Sequence, residues 1–276
     1  MLFGGNGGRA SDAEMMSALL QFVAANSTSS EDRARALQDL ETYVDSIDNG
    51  MDLIKLGVSP IIGALQSTTD TSEVRGNAAW VVAAAAQNNP PAQEGFFDAG
   101  ALPFLVNILR SDTDDVRARQ HALSAIGNLC RHFPKAEAAL VKLDGIKVLA
   151  NILHSPHQPV VLKKKLVAFV YDVLAEMEDM DDMSNMPLDG LHASFESEDW
   201  CRLTCDQFHE ARDKSDLDFV EKLLMVVRRQ SIGGRCGDAL DRSRAVIDGM
   251  RRKWLAAEPG TYMADLRNLA DAVLSS

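Results

Sequence analysis

The sequence predicts an all-α fold made of tandem helical repeats, and three observations support this prediction. From Glu31 onward, apolar residues recur at three- and four-residue spacing, as in Leu37, Leu40 and Val44, which is typical of the buried face of a helix. Alternating β-branched runs bounded by hairpin turns are nearly absent. A similar segment also recurs about every 44 residues, which indicates a repeat architecture.

The composition is that of a globular protein with an aliphatic core. Of the 276 residues, 46% are hydrophobic but only 6% are aromatic. The net charge of -12 disfavours binding to nucleic acids or membranes, because phosphate backbones and anionic lipids are also negative. No apolar run is long enough to predict a transmembrane helix, and we expect a protein that binds neither nucleic acid nor membrane.

A glycine followed by an apolar helix marks each repeat. Gly57, Gly100 and Gly145 are separated by 43 and 45 residues. Each follows a short helix that must stop and turn, and glycine adopts a left-handed turn at little cost. A longer amphipathic helix with small residues on its packed side follows in every repeat. These third helices begin near Val74, Val116 and Leu162.

A short helix, a middle helix and a long third helix with this period are typical of armadillo repeats. The predicted fold is therefore an armadillo-like right-handed superhelical solenoid, whose concave face is lined by the third helices. HEAT repeats, which have a similar period but two helices, are the alternative. We expect a flexible leader over residues 1–30 and a repeat domain over 31–276. Its predicted parts are a cap at about 31–50, repeats at 51–90, 91–134 and 135–178, and a divergent region at 188–276.

The chain carries none of the common catalytic or nucleotide-binding motifs. Gly-rich phosphate-binding loops, the His-Glu-x-x-His zinc motif and the Gly-x-Ser-x-Gly nucleophile elbow are all missing. We therefore expect neither an enzyme nor a cofactor.

Four residues near the C-terminus allow two interpretations. Cys201, Cys205 and His209 are spaced by four and share a helix face, and Cys236 could complete a tetrahedral zinc site. The spacing lacks paired Cys-x-x-Cys knuckles, so ordinary packing or a disulfide is favoured over a metal.

Peptide-binding armadillo proteins carry a ladder of asparagines on their third helices, preceded by tryptophans. Trp80 is present, but Ala84 stands four residues later, where the asparagine is needed. Asn128 occupies the matching position of the next repeat and Val173 that of the following one. One position of three does not make a ladder, so this kind of peptide binding is disfavoured, and Trp80 is either a core residue or an interface anchor.

Basic residues begin successive third helices on this acidic protein. They are Arg75, Arg117, Arg119 and Lys163 to Lys165. They are either solvated helix starts or a basic stripe that meets an acidic partner.

Several segments resemble a known family, the armadillo-type nucleotide exchange factors of seventy-kilodalton heat-shock chaperones. The resemblance covers about residues 15 to 276. The matching segments are Asn26-Ser-Thr-Ser-Ser, Ala36-Leu-Gln-Asp-Leu-Glu-Thr-Tyr-Val44, Asp48-Asn49, Asp52-Leu53, Leu129-Cys-Arg-His-Phe-Pro134, Leu143-Asp-Gly-Ile-Lys-Val-Leu149, Val170-Tyr-Asp-Val-Leu174 and Trp200-Cys201.

Within this family the sequence has features of two branches. The run at Asn26, the segment Val170–Leu174 and Trp200-Cys201 are similar to the SIL-type factor of the endoplasmic reticulum, which serves BiP. Asn26-Ser-Thr28 is also a glycosylation acceptor, usable in a secretory compartment. Gln87-Asn-Asn-Pro90 is more similar to the cytosolic branch, and neither a signal peptide nor a retention tetrapeptide is present. The endoplasmic reticulum lumen is the expected location, with the cytosol as the alternative.

The resemblance implies a mechanical function. Such factors hold one lobe of the chaperone's nucleotide-binding domain with their concave face and promote ADP release. It implies a monomer that needs no cofactor and has a BiP-like chaperone as its partner; a non-catalytic armadillo adaptor or peptide-binding scaffold is the alternative. The repeat alignment gives the candidate partner-binding residues Trp80, Gln87, Asn128, Arg131 and Phe169, to which the basic stripe adds Lys163 and Lys164. Tyr171 aligns with Ile126 and is expected in the core.

Overall fold

The computed structural model describes residues 10–176, 190–213, 216–232 and 236–276. The chain forms two compact units, with the boundary between Ala136 and Glu137. The first nine residues of the expected leader, and residues 177–189, where the sequence is acidic and rich in methionine, lie outside the described residues.

The described residues form helices and no strands, which confirms the all-α prediction. The helices of the first unit, the last of which crosses into the second, are α1 Asp12–Ala24, α2 Ser30–Val44, α3 Ile47–Leu56, α4 Ser59–Gln66, α5 Ser72–Ala86, α6 Pro90–Asp98, α7 Ala101–Arg110, α8 Val116–Cys130 and α9 Pro134–Lys142. Those that follow are α10 Gly145–His154, α11 Val160–Glu176, α12 Leu191–Phe195, α13 Glu198–Asp213, α14 Leu217–Gln230, α15 Gly237–Lys253 and α16 Tyr262–Ser275. In the part of the chain described, none of these helices is both long and apolar enough to cross a membrane.

Helix α1 corrects the expectation of a flexible leader over residues 1–30. The Ser11 hydroxyl and the Glu14 carboxylate form a capping box that starts the helix. Met16, Leu20 and Val23 are buried where α1 packs against α2, α3 and α4. The leader prediction therefore fails from Asp12 onward, because the short apolar stripe has a packing partner that local sequence does not reveal.

An armadillo repeat has three helices, whereas a HEAT repeat has two. Each repeat of this structure has three helices, so the armadillo prediction is confirmed over the HEAT alternative. Helices α3–α5, α6–α8 and α9–α11 form the successive repeats. Gly57 and Gly100 have positive φ angles of 100° and 77° between the first and second helices, as predicted.

The third repeat achieves the same turn differently. Asp144 is the left-handed residue there, with φ 56°, and Gly145 already begins α10. A Cβ on Gly145 would lie 2.6 Å from the Leu140 carbonyl oxygen. Gly145 is therefore required for close packing of α9 and not for a left-handed backbone.

In the first unit the long helices α2, α5 and α8 lie side by side, and we call them the ladder helices. Helix α5 packs against α2 on one side and α8 on the other. A Cβ on Gly76 would come within 2.8 Å of Ala118 Cα, so α5 and α8 approach closely. Arg33 pairs with Asp70 at 2.7 Å, and Arg75 pairs with Asp114 at 2.6 Å, so the same ion pair joins successive repeats.

In the second unit the repeat α9–α11 is followed by the predicted divergent region. Helix α11 packs against α14, which also packs against α16, and α13 packs against α14 and α15. Phe195, Phe208 and Phe219 are fully buried among these helices. A disulfide between Cys201 on α13 and Cys236 at the start of α15 ties this region together.

Candidate functional site: the α5–α8 face

One surface of the first unit collects four of the predicted partner-binding residues. We define the α5–α8 face by the side chains that helical spacing places on one side of the two ladder helices. They are Trp80, Ala84 and Gln87 from α5 and its C-cap, and His121, Ser124, Asn128 and Arg131 from α8 and its C-cap. Each is partly or fully exposed, whereas the residues between them are largely buried.

An aromatic pair lies on this face. The rings of Trp80 and His121 stack with their centroids 4.6 Å apart and their planes 27° apart. The Nδ1 of His121 lies 3.0 Å from the carbonyl oxygen of Gly76 on α5, and donates to it. The indole of Trp80 is thus held between helices without being buried in the core, as an interface anchor requires.

Asn128 has an internal partner. Its side-chain amide donates to the Ala83 carbonyl of α5 at 2.8 Å, and it keeps some exposure. Asn77 of α5 donates in the same way to the Ala34 carbonyl of α2 at 2.9 Å. These amides join neighbouring ladder helices.

A cleft of about 390 Å³ opens beside the C-terminal ends of α5 and α8. Arg131 lines it, and the exposed Gln87 precedes another lining residue, Asn88. Asn88 and His132 both have φ 52°, in the left-handed region that Asn and few other side chains tolerate. The other lining residues are Pro90, Gln93, Glu94 and Phe133.

Gln93 fixes the turn that carries Arg131. Its buried side-chain amide donates to the Asn128 carbonyl at 2.6 Å and to the Arg131 carbonyl at 3.0 Å. The repeat alignment located Gln87 and Arg131 in this region but did not single out Gln93, His121 or His132. His121 could have been found from its position 44 residues after Asn77.

The structure corrects the predicted basic stripe. Arg75 is paired with Asp114, and Arg119 is buried and donates to the Leu109 carbonyl. Lys163 is only 2% exposed and pairs with Glu210 of α13 at 2.7 Å. Lys164 bonds to Asp216 at 3.2 Å and also pairs with Asp218. These four cations are paired or hydrogen-bonded within the fold, which opposes the interpretation of them as a basic stripe for an acidic partner.

The remaining aromatic predictions in the second unit are also corrected. Phe169, predicted to bind a partner, is buried and meets Phe195 edge to face with ring centroids 5.9 Å apart. Tyr171, expected in the core, is half-buried, and the Arg229 guanidinium of α14 lies over its ring at 4.9 Å. These placements follow an offset of 44 residues from α8, at which Phe169 corresponds to the buried Ala125 and Tyr171 to the half-buried Gly127.

The cysteines do not form a zinc site. Cys201 and Cys236 are disulfide-bonded, Cys205 is a buried free thiol, and His209 is exposed. Burial and the neighbouring Asp206 raise the pKa of the Cys205 thiol to about 12. Across the described parts of the chain, no cluster of histidine, cysteine and acidic residues could hold a metal.

Three-helix repeats stacked in this order define an armadillo-type repeat protein. The chain belongs to the SIL1/FES1/HPBP1 family: residues 49–244 match the family model described as "SIL1/FES1/HPBP1 C-terminal domain", and residues 2–53 match "Nucleotide exchange factor Fes1".

Curated relatives come from both branches of the family. "Nucleotide exchange factor SIL1" of Xenopus laevis is 37% identical over 98 residues, which are 36% of this chain and 21% of that protein. "Hsp70 nucleotide exchange factor FES1" of Gibberella zeae is 30% identical over 105 residues, 37% of this chain and 48% of that one. The matches thus span about a fifth of the SIL1 protein and about half of the FES1 protein.

Solved structures support the fold. An engineered protein has a TM-score of 0.68 at 18% identity, covering 94% of this chain and 95% of its own. A designed armadillo repeat protein has a TM-score of 0.65 at 16% identity, covering 94% of this chain and 98% of its own. These likenesses confirm the predicted armadillo-like fold.

Proposed function

We propose that this protein is a nucleotide exchange factor, which binds the nucleotide-binding domain of a seventy-kilodalton heat-shock chaperone and promotes ADP release. The family match over residues 49–244 carries this proposal. The names of the SIL1 and FES1 relatives support it.

The proposed action needs no catalytic group on this chain. A factor that binds the open form of the chaperone domain more tightly than the closed form weakens nucleotide binding by that difference in affinity. ADP then leaves, ATP enters, and the client protein is released. The α5–α8 face supplies the contact, with Trp80 as its aromatic anchor and Gln87, Asn128 and Arg131 around it.

The test is the release rate of fluorescent ADP from a chaperone nucleotide-binding domain, with and without this protein. We expect faster release, and we expect Trp80→Ala combined with Arg131→Ala to weaken chaperone binding about tenfold or more, as for truncated interface anchors. Phe22→Ala with Lys55→Ala is the matched control, because it removes another exposed aromatic group and cation away from the face.

No acceleration with any chaperone would contradict the exchange function and leave the adaptor alternative. An unchanged melting temperature in the Trp80/Arg131 variant would show that the weaker binding comes from lost contacts with the chaperone and not from a loss of folding.

For the partner and location, we propose a BiP-like chaperone in the endoplasmic reticulum lumen, where the protein acts as a monomer. The Cys201–Cys236 disulfide supports this location, because disulfides persist in oxidising compartments. A faster exchange with a cytosolic chaperone domain than with a luminal one, together with reduced cysteines in protein isolated from its native cell, would favour the cytosol.

We propose Asn26 as a glycosylation site in that compartment. Asn26 is exposed in the loop between α1 and α2, and the hydroxyl of Thr28 in the same acceptor motif donates to the Phe22 carbonyl at 2.8 Å. Protein expressed through the secretory pathway should lose mass on glycosidase treatment, and the Asn26→Gln variant should not. Equal masses before and after treatment of the unaltered protein would contradict the proposal.

A further inference from the structure

His121 occupies on α8 the position that Asn77 occupies on α5. Asn77 of α5 and His121 of α8 lie 44 residues apart, one repeat period. Asn77 donates to the Ala34 carbonyl of the preceding ladder helix at 2.9 Å, and His121 donates to the Gly76 carbonyl of its preceding ladder helix at 3.0 Å. An asparagine is sufficient for this bond, so the imidazole ring supplies something more.

The imidazole of His121 supplies a stacking contact with Trp80, which an asparagine could not make. The two rings stack at 4.6 Å, and the histidine covers one side of the indole. Trp80 differs from the other two tryptophans of the chain in being partly exposed, since Trp200 and Trp254 are buried. His121 therefore contacts the tryptophan that can reach a partner.

The imidazole is itself fixed. Its hydrogen bond to the Gly76 carbonyl restrains the ring, and that carbonyl lies one helical turn before Trp80, where it also faces the N–H of residue 80 in an α-helix. The close approach of Gly76 and Ala118 restrains the backbones of α5 and α8 at the same level. The indole thus rests on a ring that has little freedom to move.

We propose that His121 is a positioning residue, which holds the Trp80 indole in the orientation used to bind the chaperone. This inference rests on the proposed exchange function. An anchor that is already oriented loses less conformational freedom when it binds, so removing the support should weaken binding about three- to tenfold.

Two substitutions separate the two roles of His121. His121→Asn keeps a donor for the Gly76 carbonyl, as Asn77 does for Ala34, but removes the stacked ring. His121→Phe keeps a stacked ring but removes the donor. We expect His121→Asn to weaken binding to the chaperone domain about three- to tenfold. We expect His121→Phe to stay within about twofold of the unaltered protein, because positioning depends on the ring.

A spectroscopic measurement tests the orientation without any partner. The Trp80 signal is obtained as the difference between a protein and its Trp80→Phe counterpart in time-resolved fluorescence anisotropy. His121→Asn should add fast local motion to this signal while leaving the melting temperature unchanged. Unaltered Trp80 motion in His121→Asn would overturn the proposal.

A double-mutant cycle tests the positioning role of His121 separately from the proposed exchange function. In a Trp80→Ala background, His121→Asn should have no further effect on binding. Equal weakening with and without the Trp80 side chain would show that His121 acts by another route, although the exchange function would stand. Failure of the unaltered protein to bind any chaperone domain would overturn both.

Discussion

At the scale of single residues, Glu137 carries the clearest pH dependence of the structure. Burial of this carboxyl, at the start of the second unit, and in second place the nearby Glu176 carboxylate together raise its pKa to about 7. In the unfolded chain a glutamate has a pKa of about 4.3. Between these values the folded protein retains a proton that the unfolded chain releases. The free energy of unfolding therefore falls as the pH rises through this range.

We predict that Glu137→Gln stabilises the protein above pH 7 and has little effect near pH 4. The gain is at most about 4 kcal/mol, because the folded and unfolded pKa values of about 7 and about 4.3 differ by about 2.7. Thermal unfolding of both proteins at the two pH values measures it, with Glu258→Gln, an exposed glutamate, as the control. An equal shift at both pH values would show that the effect of Glu137→Gln is not one of ionisation.

The two adjacent lysines of α11 should differ sharply in their contribution to stability. Lys163 is buried beside Glu210 and also bonds to Gln207 at 3.2 Å, whereas Lys164 is about a quarter exposed. We predict that Lys163→Met costs about 3 kcal/mol, since it leaves a carboxylate in a largely buried position without its cation. Lys164→Met should cost less than about 1 kcal/mol.

Urea unfolding of both variants measures this difference. Adding Glu210→Gln to Lys163→Met should recover part of the loss. Equal costs for the two lysines would mean that Lys163 is exposed in solution, as the sequence-based prediction of a basic stripe assumed.

At the scale of helices, the disulfide restrains the region that departs from the regular repeat. It joins α13 to the start of α15 across 35 residues. A crosslink over such a loop stabilises a fold by about 3–4 kcal/mol in the chain-entropy account. We predict a loss of this size for Cys201→Ala combined with Cys236→Ala. The matched control is Cys205→Ala, which removes a buried thiol from the same helix and leaves the crosslink.

Thiol counting checks the pairing directly. Cys130 and Cys205 are buried, so the folded protein should react slowly with an alkylating reagent. Denaturant alone should expose two thiols, and denaturant with a reductant should expose all four. Four reactive thiols without a reductant would contradict the disulfide.

The sequence reveals much of the helix arrangement because the residues that start and stop the helices act locally. Local residue types mark the helix boundaries: positive-φ glycines separate helices at Gly57 and Gly100, and prolines begin helices at Pro90 and Pro134. The third repeat shows the limit of such reasoning. Asp144 and Gly145 are neighbours, and only the packing against Leu140 decides which of them takes the left-handed conformation.

Of the candidate site, the sequence finds the helices and turns but not the partners of each side chain. Trp80 and Arg131 are correctly placed on exposed positions by the repeat period. Lys163 and Phe169 are predicted to be exposed but are buried, because the groups that cover them lie 26 to 47 residues later in the chain. Such contacts depend on tertiary packing, which neither local spacing nor charge pattern predicts.

At the scale of the whole molecule, the exchange function proposed for this protein acts through binding. Its proposed effect on a chaperone is an equilibrium coupling, in which this protein and ADP each weaken the binding of the other by the same factor. That reciprocity distinguishes a mechanical exchange factor from an adaptor, which would bind the chaperone equally well with or without nucleotide.

The most direct test measures the affinity of this protein for a chaperone nucleotide-binding domain by titration calorimetry, first without nucleotide and then with saturating ADP. We predict that ADP weakens this binding by about 5- to 150-fold, the usual range of coupling between two sites. The protein should weaken ADP binding by the same factor. An affinity that does not change when ADP is added would contradict the account.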